Sequence, residues 1–245
     1  MPIAVEQLTR TYGAFVAVDG LSFEVASGEI VGLIGPNGAG KTTTLRALAG
    51  ILRPTAGTIR IDGFDLGADA ATAIEAKRRL AFMPDEPHLF EYLTVEEHLR
   101  LVARLYNVED FERRSQALVE ELELGGKQRS LPGELSRGMR QKVVIACGLV
   151  RQASVLLFDE PLTGLDPRGI RKMRETIVAR GRAGAAILLS SHLLHLVEEI
   201  CTRVIIMDGG KKMADGTVAE LAARVDLATA GSSLEQIFLH VTGRE

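Results

Sequence analysis

The sequence predicts an α/β protein with a mainly parallel sheet, an N-terminal antiparallel β subdomain and an inserted α-helical subdomain. Two apolar segments, 155–158 and 185–189, are each followed by a helical pattern, which is typical of parallel βαβ units. Short β segments punctuated by glycine and aspartate fill residues 3–63. Helical periodicity then occupies residues 94–122, so the α/β alternation is interrupted and later resumes.

Composition limits the function classes. The 245 residues are 46% hydrophobic and 25% charged, which is typical of a globular chain with a sizeable core. A net charge of -3 disfavours a nucleic-acid partner. The most apolar run, 143–150, is far shorter than the roughly 20 residues that cross a bilayer, and the first ten residues lack a signal-peptide pattern. We therefore expect a soluble cytosolic chain in which Cys147 and Cys201 are buried thiols.

The first quarter of the chain is predicted to consist mainly of strands, with one helix after residue 42. A helix over 71–79 and a strand over 80–83 follow, and the proline-bearing segment 84–87 then ends regular structure. The predicted strands of this part lie at 4–8, 15–25, 29–34 and 58–61.

The helical insertion is predicted from capping and periodicity. Thr94 and Glu97 form a capping-box pattern before an apolar helical face, and a second amphipathic helix follows near residues 111–122. A polar loop over 125–136 leads to a helix over 139–150, which is apolar almost all round and therefore buried. The chain is then predicted to end with two short strands around Gly209-Gly210 and with helices at 217–224 and 233–241.

The strongest functional signal is a segment that matches G-x-x-x-x-G-K-[ST] between a strand and a helix. Its glycines allow backbone N–H groups to approach an anion, and Lys41 adds a positive charge. Thr42 offers a hydroxyl to magnesium, while the positive end of the helix from Thr43 faces the same phosphates. A chance glycine-rich turn is the alternative, and the motif does not choose among kinases, GTPases and transport ATPases. The matched residues are Gly35, Pro36, Asn37, Gly38, Ala39, Gly40, Lys41 and Thr42.

A second signal is the acid pair that ends the apolar segment 155–158. Asp159 and Glu160 are expected at the C-terminal edge of the parallel sheet, where a nucleotide would bind. Asp159 is suited to hold magnesium through water, and Glu160 to accept a proton from a water that attacks the γ-phosphate. The alternative is a pair that only caps a helix.

A third signal precedes the buried helix, where Ser136 and the N–H groups around Gly138 form a helix N-terminus suited to an anion. With this segment the chain resembles the nucleotide-binding subunits of ABC transporters, whose signature LSGGQ occurs here as LSRGM. The resemblance covers almost the whole chain, because the family's aromatic residue, phosphate loop, Q-loop, helical subdomain, signature, acid pair, D-loop and switch histidine occur here in the same order.

The resemblance implies a P-loop NTPase (RecA-like) core that binds ATP and Mg2+. Residues 1–230 would form the ATP-binding cassette domain, with 85–150 as the inserted helical subdomain, and 231–245 a short C-terminal helical tail. The implied partners are a separate integral-membrane permease and a second cassette, identical or paired, and no nucleic acid. The chain would then lie at the cytoplasmic face of the cell membrane.

The resemblance also assigns individual residues. Tyr12 matches the aromatic residue that stacks on adenine, although a tyrosine on a surface hairpin is the plain alternative. Asp166 matches the D-loop aspartate, which contacts the paired subunit in the family, and it can also cap the following helix. His192 matches the switch histidine that contacts the γ-phosphate, with a capping or packing role as the alternative. His195 has no match and is expected on a helix surface.

Two motifs depart from the family pattern. Asp85 replaces the Q-loop glutamine, and its shorter, charged side chain would bind the metal through a water. In the signature, Arg137 replaces the first glycine and Met139 the glutamine, while Ser136 and Gly138 remain. Arg137 either adds charge near the nucleotide or faces solvent. Both variants are similar to those of bacterial ABC-2-type exporters, which implies export.

The leading functional hypothesis is an ATP-hydrolysing subunit that dimerises head to tail and drives a permease. The permease would dock near residues 85–92, where Leu89, Phe90 and Tyr92 are either exposed apolar groups or part of the core. A soluble cassette ATPase that is not coupled to transport is the alternative, but the sequence lacks the second cassette, coiled coil or basic run that would favour it. A clamp that binds ATP without hydrolysis is disfavoured by Glu160 and His192.

Overall fold

The computed structural model describes residues 1–224 and 233–243. The strands are β1 (Ile3–Tyr12), β2 (Phe15–Val25), β3 (Ile30–Ile34), β4 (Ala56–Ile61), β5 (Phe64–Asp65), β6 (Leu80–Met83), β7 (Val155–Asp159), β8 (Ala186–Ser191), β9 (Arg203–Asp208) and β10 (Lys211–Gly216). The helices are α1 (Lys41–Leu48), α2 (Ala70–Arg79), α3 (Val95–Leu105), α4 (Phe111–Glu121), α5 (Arg137–Leu149), α6 (Pro167–Arg182), α7 (Leu194–Ile200), α8 (Val218–Arg224) and α9 (Leu234–Thr242).

The central sheet has the strand order β10-β9-β3-β8-β7-β6. All neighbouring strands in it are parallel except β10 and β9. Every residue of β3, β7 and β8 is buried, as expected for apolar strands covered on both faces. Since the strands are parallel, the ends of β3, β8 and β7 meet at one edge, where Ile34 pairs with Ser191 and Asp159 with Ser190.

The predicted N-terminal antiparallel subdomain is confirmed as a sheet of order β2-β1-β4-β5. Its apolar side chains form one buried cluster with α1 and with one face of the central sheet. Strand β1 is longer than the sequence predicts, because Gln7 takes a left-handed backbone conformation (φ 50°) and a shift in register breaks the polar/apolar alternation there. The short β5 was not predicted.

The inserted helices α3, α4 and α5 pack on the other face of the central sheet, in a core continuous with it. The capping box is confirmed, since Glu97 N donates to Thr94 Oγ1 at 3.3 Å and Thr94 N donates to Glu97 Oε2 at 2.8 Å. Helix α1 begins at Lys41, two residues earlier than predicted.

Helix α9 lies within the predicted C-terminal tail and packs against α7. The predicted boundary between residues 230 and 231 falls outside the described residues, so the extent of the cassette stays a prediction. Burial raises the pKa of Cys147 to about 12 and also raises that of Cys201, and neither forms a disulfide. No helix in residues 1–224 and 233–243 is long and apolar enough to cross a membrane.

A glycine in α5 allows this helix to lie directly on β6. A Cβ at Gly148 would lie 2.3 Å from Met83 Sδ. We expect Gly148→Ala to lower the free energy of unfolding by about 1–2 kcal/mol, because overpacking outweighs the gain in helix propensity. Urea unfolding followed by circular dichroism measures this change. Gly133→Ala is the matched control, since a Cβ there meets nothing within 4 Å. Equal stabilities of the two variants would contradict the packing argument.

Candidate functional site

The phosphate loop connects β3 to α1 and is shaped by its glycines. Gly40 has φ 100°, and a Cβ there would lie 2.4 Å from the carbonyl oxygen of Ala17 in β2. A Cβ at Gly35 would lie 2.3 Å from the carbonyl oxygen of Met207 in β9. The loop is therefore held against two strands at positions where only glycine fits.

The buried side chain of Lys41 lies across this loop. Its Nζ donates to the carbonyl oxygens of Gly35 at 2.7 Å and Pro36 at 3.2 Å. Burial lowers the pKa of Lys41, while the carboxylates of Glu160 and Asp159 oppose that shift. The ammonium group thus lies between backbone carbonyl groups and the acid pair.

The structure brings the phosphate loop and Asp159 together. Thr42 Oγ1 donates to Asp159 Oδ1 at 3.1 Å, and Ser190 Oγ donates to the same oxygen at 2.7 Å. Asp159 is only 2% exposed, so these two hydroxyl groups supply partners that a buried carboxylate needs. A hydroxyl and a carboxylate oxygen in contact are oxygen donors of the kind that Mg2+ prefers.

Glu160 and His192 lie beside this contact. His192 Nδ1 is 2.8 Å from Glu160 Oε2, and the His192 backbone N–H donates to that oxygen at 3.3 Å. Glu160 has φ 50°, and its N–H donates to Ser190 Oγ at 3.0 Å. A non-glycine residue in this backbone region is held there by its surroundings, and such residues cluster at functional sites.

Tyr12 lies at the end of β1, where it pairs with Phe15 across a hairpin. Its side chain is 45% exposed, and the guanidinium of Arg10 lies over its ring at 4.4 Å from the centroid. The same hairpin continues into Ala17, which contacts the phosphate loop. The ring thus belongs to the strand pair that holds the loop.

The signature residues form a second group around Gly164. Ser136 caps α5 by accepting a hydrogen bond from Met139 N at 3.2 Å, and a Cβ at Gly138 would lie 2.9 Å from the Gly164 carbonyl oxygen. Asp166 caps α6 by accepting from the N–H of Gly169 at 2.8 Å. In the part of the chain that the structure describes, no hydrogen bond joins Ser136 or Gly138 to the phosphate loop.

The two departures from the family pattern contact each other. Arg137 Nη2 lies 3.8 Å from Asp85 Oδ1, and one turn along the same face of α5 Gln141 Nε2 donates to the Pro84 carbonyl oxygen at 3.0 Å. The Arg137 side chain is 60% exposed and also lies against Gly164. Within residues 1–224 no hydrogen bond joins Asp85 to Thr42 or Asp159. The segment 84–85 is therefore tied to the start of α5.

The apolar groups after Asp85 divide into two kinds. Leu89 packs against the core, whereas Phe90 is 63% and Tyr92 89% exposed. His98 fixes this segment, because its Nε2 accepts from Phe90 N at 2.9 Å and its ring stacks on that of Phe90. Both rings that face solvent are thus on a segment with a fixed backbone.

Two residues of this region were missed by the sequence reasoning. Ser190 contacts both acids, and its signal was a polar residue near the end of an otherwise apolar strand, because a buried hydroxyl needs a partner. Gln141 is only 2% exposed, but a glutamine inside a helical pattern does not by itself indicate that its side chain is buried. His195 is exposed on α7, as predicted.

Comparisons with known proteins agree with the resemblance. The sequence pattern of the ABC transporter family matches residues 18–163. The chain is 34% identical over 242 residues to the ABC-type transporter ATP-binding protein EcsA of Bacillus subtilis, covering 98% of this chain and 96% of the relative. It is 38% identical over 223 residues to the Nod factor export ATP-binding protein I of Paraburkholderia xenovorans, covering 90% and 72% of the two chains.

Solved structures confirm the predicted fold class. The structure of an ATP-binding subunit of an ABC transporter superposes with a TM-score of 0.93 at 36% identity, over 99% of this chain and 100% of that chain. A dimeric bacterial ABC transporter cassette superposes with a TM-score of 0.82 at 23% identity, over 88% of this chain and 98% of that chain. At this identity the match shows a similar fold. On the family match and the relatives of high coverage, this chain belongs to the ABC transporter family, as an ATP-binding ATPase subunit.

Proposed function

We propose that this ATPase subunit binds Mg2+ with ATP and acts as half of a head-to-tail dimer that drives export through a membrane permease on another chain. The observation that supports the ATP site most strongly is the contact of Thr42 Oγ1 with Asp159 Oδ1 at 3.1 Å. It joins the phosphate loop and the acid pair at one edge of the sheet, where nucleotides bind in α/β proteins.

Thr42 and Asp159 are the residues that would hold the magnesium ion. Their hydroxyl and carboxylate oxygens fit it, since protein Mg2+ sites use one or two such ligands and take the rest from phosphate and water. When bound there, Mg2+ neutralises charge on the β- and γ-phosphates. Asp85 is proposed to contribute through a water, as its sequence position implies.

The phosphate loop would receive the β- and γ-phosphates. Backbone N–H groups at Gly38 and Gly40 would point at the anion, and Lys41 would exchange the carbonyl oxygens of Gly35 and Pro36 for phosphate oxygens. This exchange keeps the ammonium hydrogen-bonded throughout. Residues 35–43 together, with Tyr12 against the adenine ring, then account for the nucleotide contacts made by one chain.

Glu160 is proposed as the general base and His192 as the group that holds it. The 2.8 Å contact of His192 Nδ1 with Glu160 Oε2 leaves the other carboxylate oxygen to accept a proton from the attacking water. The resemblance also implies a contact of His192 with the γ-phosphate, and we include this contact in the proposal. Removal of the γ-phosphate then ends its contacts with both cassettes.

The second half of each ATP site is proposed to come from a partner cassette. Ser136 and Gly138 lie at the N-terminus of α5, where the helix dipole favours an anion, yet they form a group separate from the phosphate loop. Two copies arranged head to tail would complete both sites. Asp166, at the start of α6, would lie near the same interface.

The proposals of export and of a membrane partner are supported by the names of relatives and by one exposed surface. Relatives are named for export, including the SkfA peptide export ATP-binding protein SkfE of Bacillus subtilis, which is 38% identical over 213 residues. The exposed Phe90 and Tyr92 form an apolar surface beside the helical insertion, which suits a permease on the cytoplasmic face of the membrane.

We propose residues 1–230 as the cassette, 85–150 as its helical subdomain and 231–245 as its tail.

The dimer model predicts the behaviour of two variants. Glu160→Gln removes the proton acceptor, so steady-state ATP hydrolysis should fall by about 100-fold or more while ATP-bound dimers accumulate. Adding Ser136→Arg should abolish those dimers, because the bulky side chain fills the space of the γ-phosphate. Light scattering after size-exclusion chromatography, with ATP in the buffer, measures the dimer.

The control for this experiment preserves the cap of α5. Ser136→Asp retains a capping oxygen but repels the phosphate, so it should also abolish dimers in the Glu160→Gln background without unfolding the helix. Undiminished turnover of the Glu160→Gln variant would remove Glu160 from the role of base. Dimers that form despite Ser136→Arg would contradict the shared site.

The role of Asp85 can be separated from that of its ion pair. An exposed pair at 3.8 Å contributes at most about 1 kcal/mol, so it does not prevent Asp85 from turning to a metal-bound water. We expect Asp85→Ala to raise the Mg2+ concentration for half-maximal hydrolysis roughly tenfold, whereas Arg137→Ala leaves it unchanged. Magnesium titrations of ATPase activity measure this. The same shift in both variants would mean that Asp85 acts only through Arg137.

The exposed aromatic surface predicts a membrane partner. The double variant Phe90→Ser/Tyr92→Ser should fail to co-purify with the integral-membrane protein that the wild-type chain retains in detergent, while its own ATPase rate stays unchanged. Leu105→Ser is the matched control, since Leu105 is 68% exposed at the far end of α3. Co-purification is followed by mass spectrometry. A membrane protein retained equally by the double variant would place the docking surface elsewhere.

A further inference from the structure

We infer that Arg10 is a positioning residue for the adenine end of the ATP site. Its guanidinium fixes the ring of Tyr12 and thereby the face on which the base stacks. This inference rests on the proposed contact of Tyr12 with adenine and extends it to a residue that no motif identifies.

The guanidinium group of Arg10 is held by two contacts. Its Cζ lies 4.4 Å from the Tyr12 ring centroid, within the range of a cation–π contact, and its Nη1 donates to the carbonyl oxygen of Arg53 at 2.9 Å. The two side chains are two residues apart on β1, the spacing that places them on one face of a strand. The guanidinium is therefore anchored as well as stacked.

The anchor itself is rigid. The segment that carries Arg53 is tied to β1, because Thr55 N donates to the Thr9 carbonyl oxygen at 2.8 Å and Thr11 N donates to Thr55 Oγ1 at 3.1 Å. Arg10 thus bridges two hydrogen-bonded segments while covering one face of the Tyr12 ring. The ring cannot leave this position without losing the cation–π contact.

Covering one face of the ring favours a base on the other. A ring held in a single orientation loses less conformational entropy when a ligand stacks on it. A cation on the far face also offsets the repulsion between the negative faces of two stacked rings. Since the same hairpin leads to Ala17, which contacts Gly40, the ring is also fixed relative to the phosphate loop.

The test compares binding of ATP with binding of inorganic tripolyphosphate, which lacks the base. Arg10→Gln should weaken ATP binding by about two- to fivefold, the size of an exposed cation–π contact, and leave tripolyphosphate binding unchanged. Arg10→Lys, which keeps a cation near the ring, should recover part of the loss. In ATPase assays KM should rise while kcat stays constant, because only ground-state binding is affected. Isothermal titration calorimetry on the full chain measures both ligands.

Two controls make the outcome specific. Arg60→Gln removes an arginine from the same sheet, where Arg60 pairs with Glu6, and should leave both ligands unaffected. In a Tyr12→Ala background, Arg10→Gln should cause no further loss. An equal loss in that background, or an equal loss of tripolyphosphate binding, would overturn the inference.

The same experiment separates the two proposals. ATP binding that is unchanged in Tyr12→Ala would remove Tyr12 from the base site and thus refute the proposed adenine contact. A loss in Tyr12→Ala with none in Arg10→Gln would leave that contact in place and refute only the role of Arg10.

Discussion

The buried carboxylate of Asp159 is the constraint on which the rest of the site depends. Strands β3 and β7 are not neighbours, because β8 lies between them, and side-chain hydrogen bonds at the sheet edge join the phosphate loop to the acid pair. Asp159 joins them by accepting hydrogen bonds from the hydroxyl groups of Thr42 and Ser190. A buried carboxylate without such partners would cost several kcal/mol. That cost is a large part of the free energy of unfolding of a typical domain.

Two contacts join the segment after β6 to the start of α5. Segment 84–85 is joined to α5 by Gln141 and by the half-exposed pair of Arg137 with Asp85. A surface ion pair contributes at most about 1 kcal/mol, so the hydrogen bond from the buried Gln141 side chain is the stronger of the two links. The exposed ring of Phe90 lies on the same stretch of chain. The start of α5 and the proposed permease surface are therefore joined through segment 84–85.

The sequence predicted what local patterns determine. Periodicity gave the buried strands β7 and β8, and the capping box gave the start of α3, because both depend on residues a few positions apart. The pairing of Ser190 with Asp159, and of Arg10 with Arg53, depends on how distant segments fold together, which no local pattern encodes. Roles that require a nucleotide or a partner chain, such as that of Ser136, stay predictions for the same reason.

The phosphate loop is held in shape by its contacts with two strands. Gly35 and Gly40 are packed against the carbonyl oxygens of Met207 and Ala17, which fixes both ends of the loop. The ammonium of Lys41 is already hydrogen-bonded to backbone carbonyl groups and needs only to exchange partners. Little binding free energy is then spent on ordering the loop. More of it is then available for the proposed contact of a second cassette with the γ-phosphate, so in the proposed dimer ATP binding favours closure rather than loop folding.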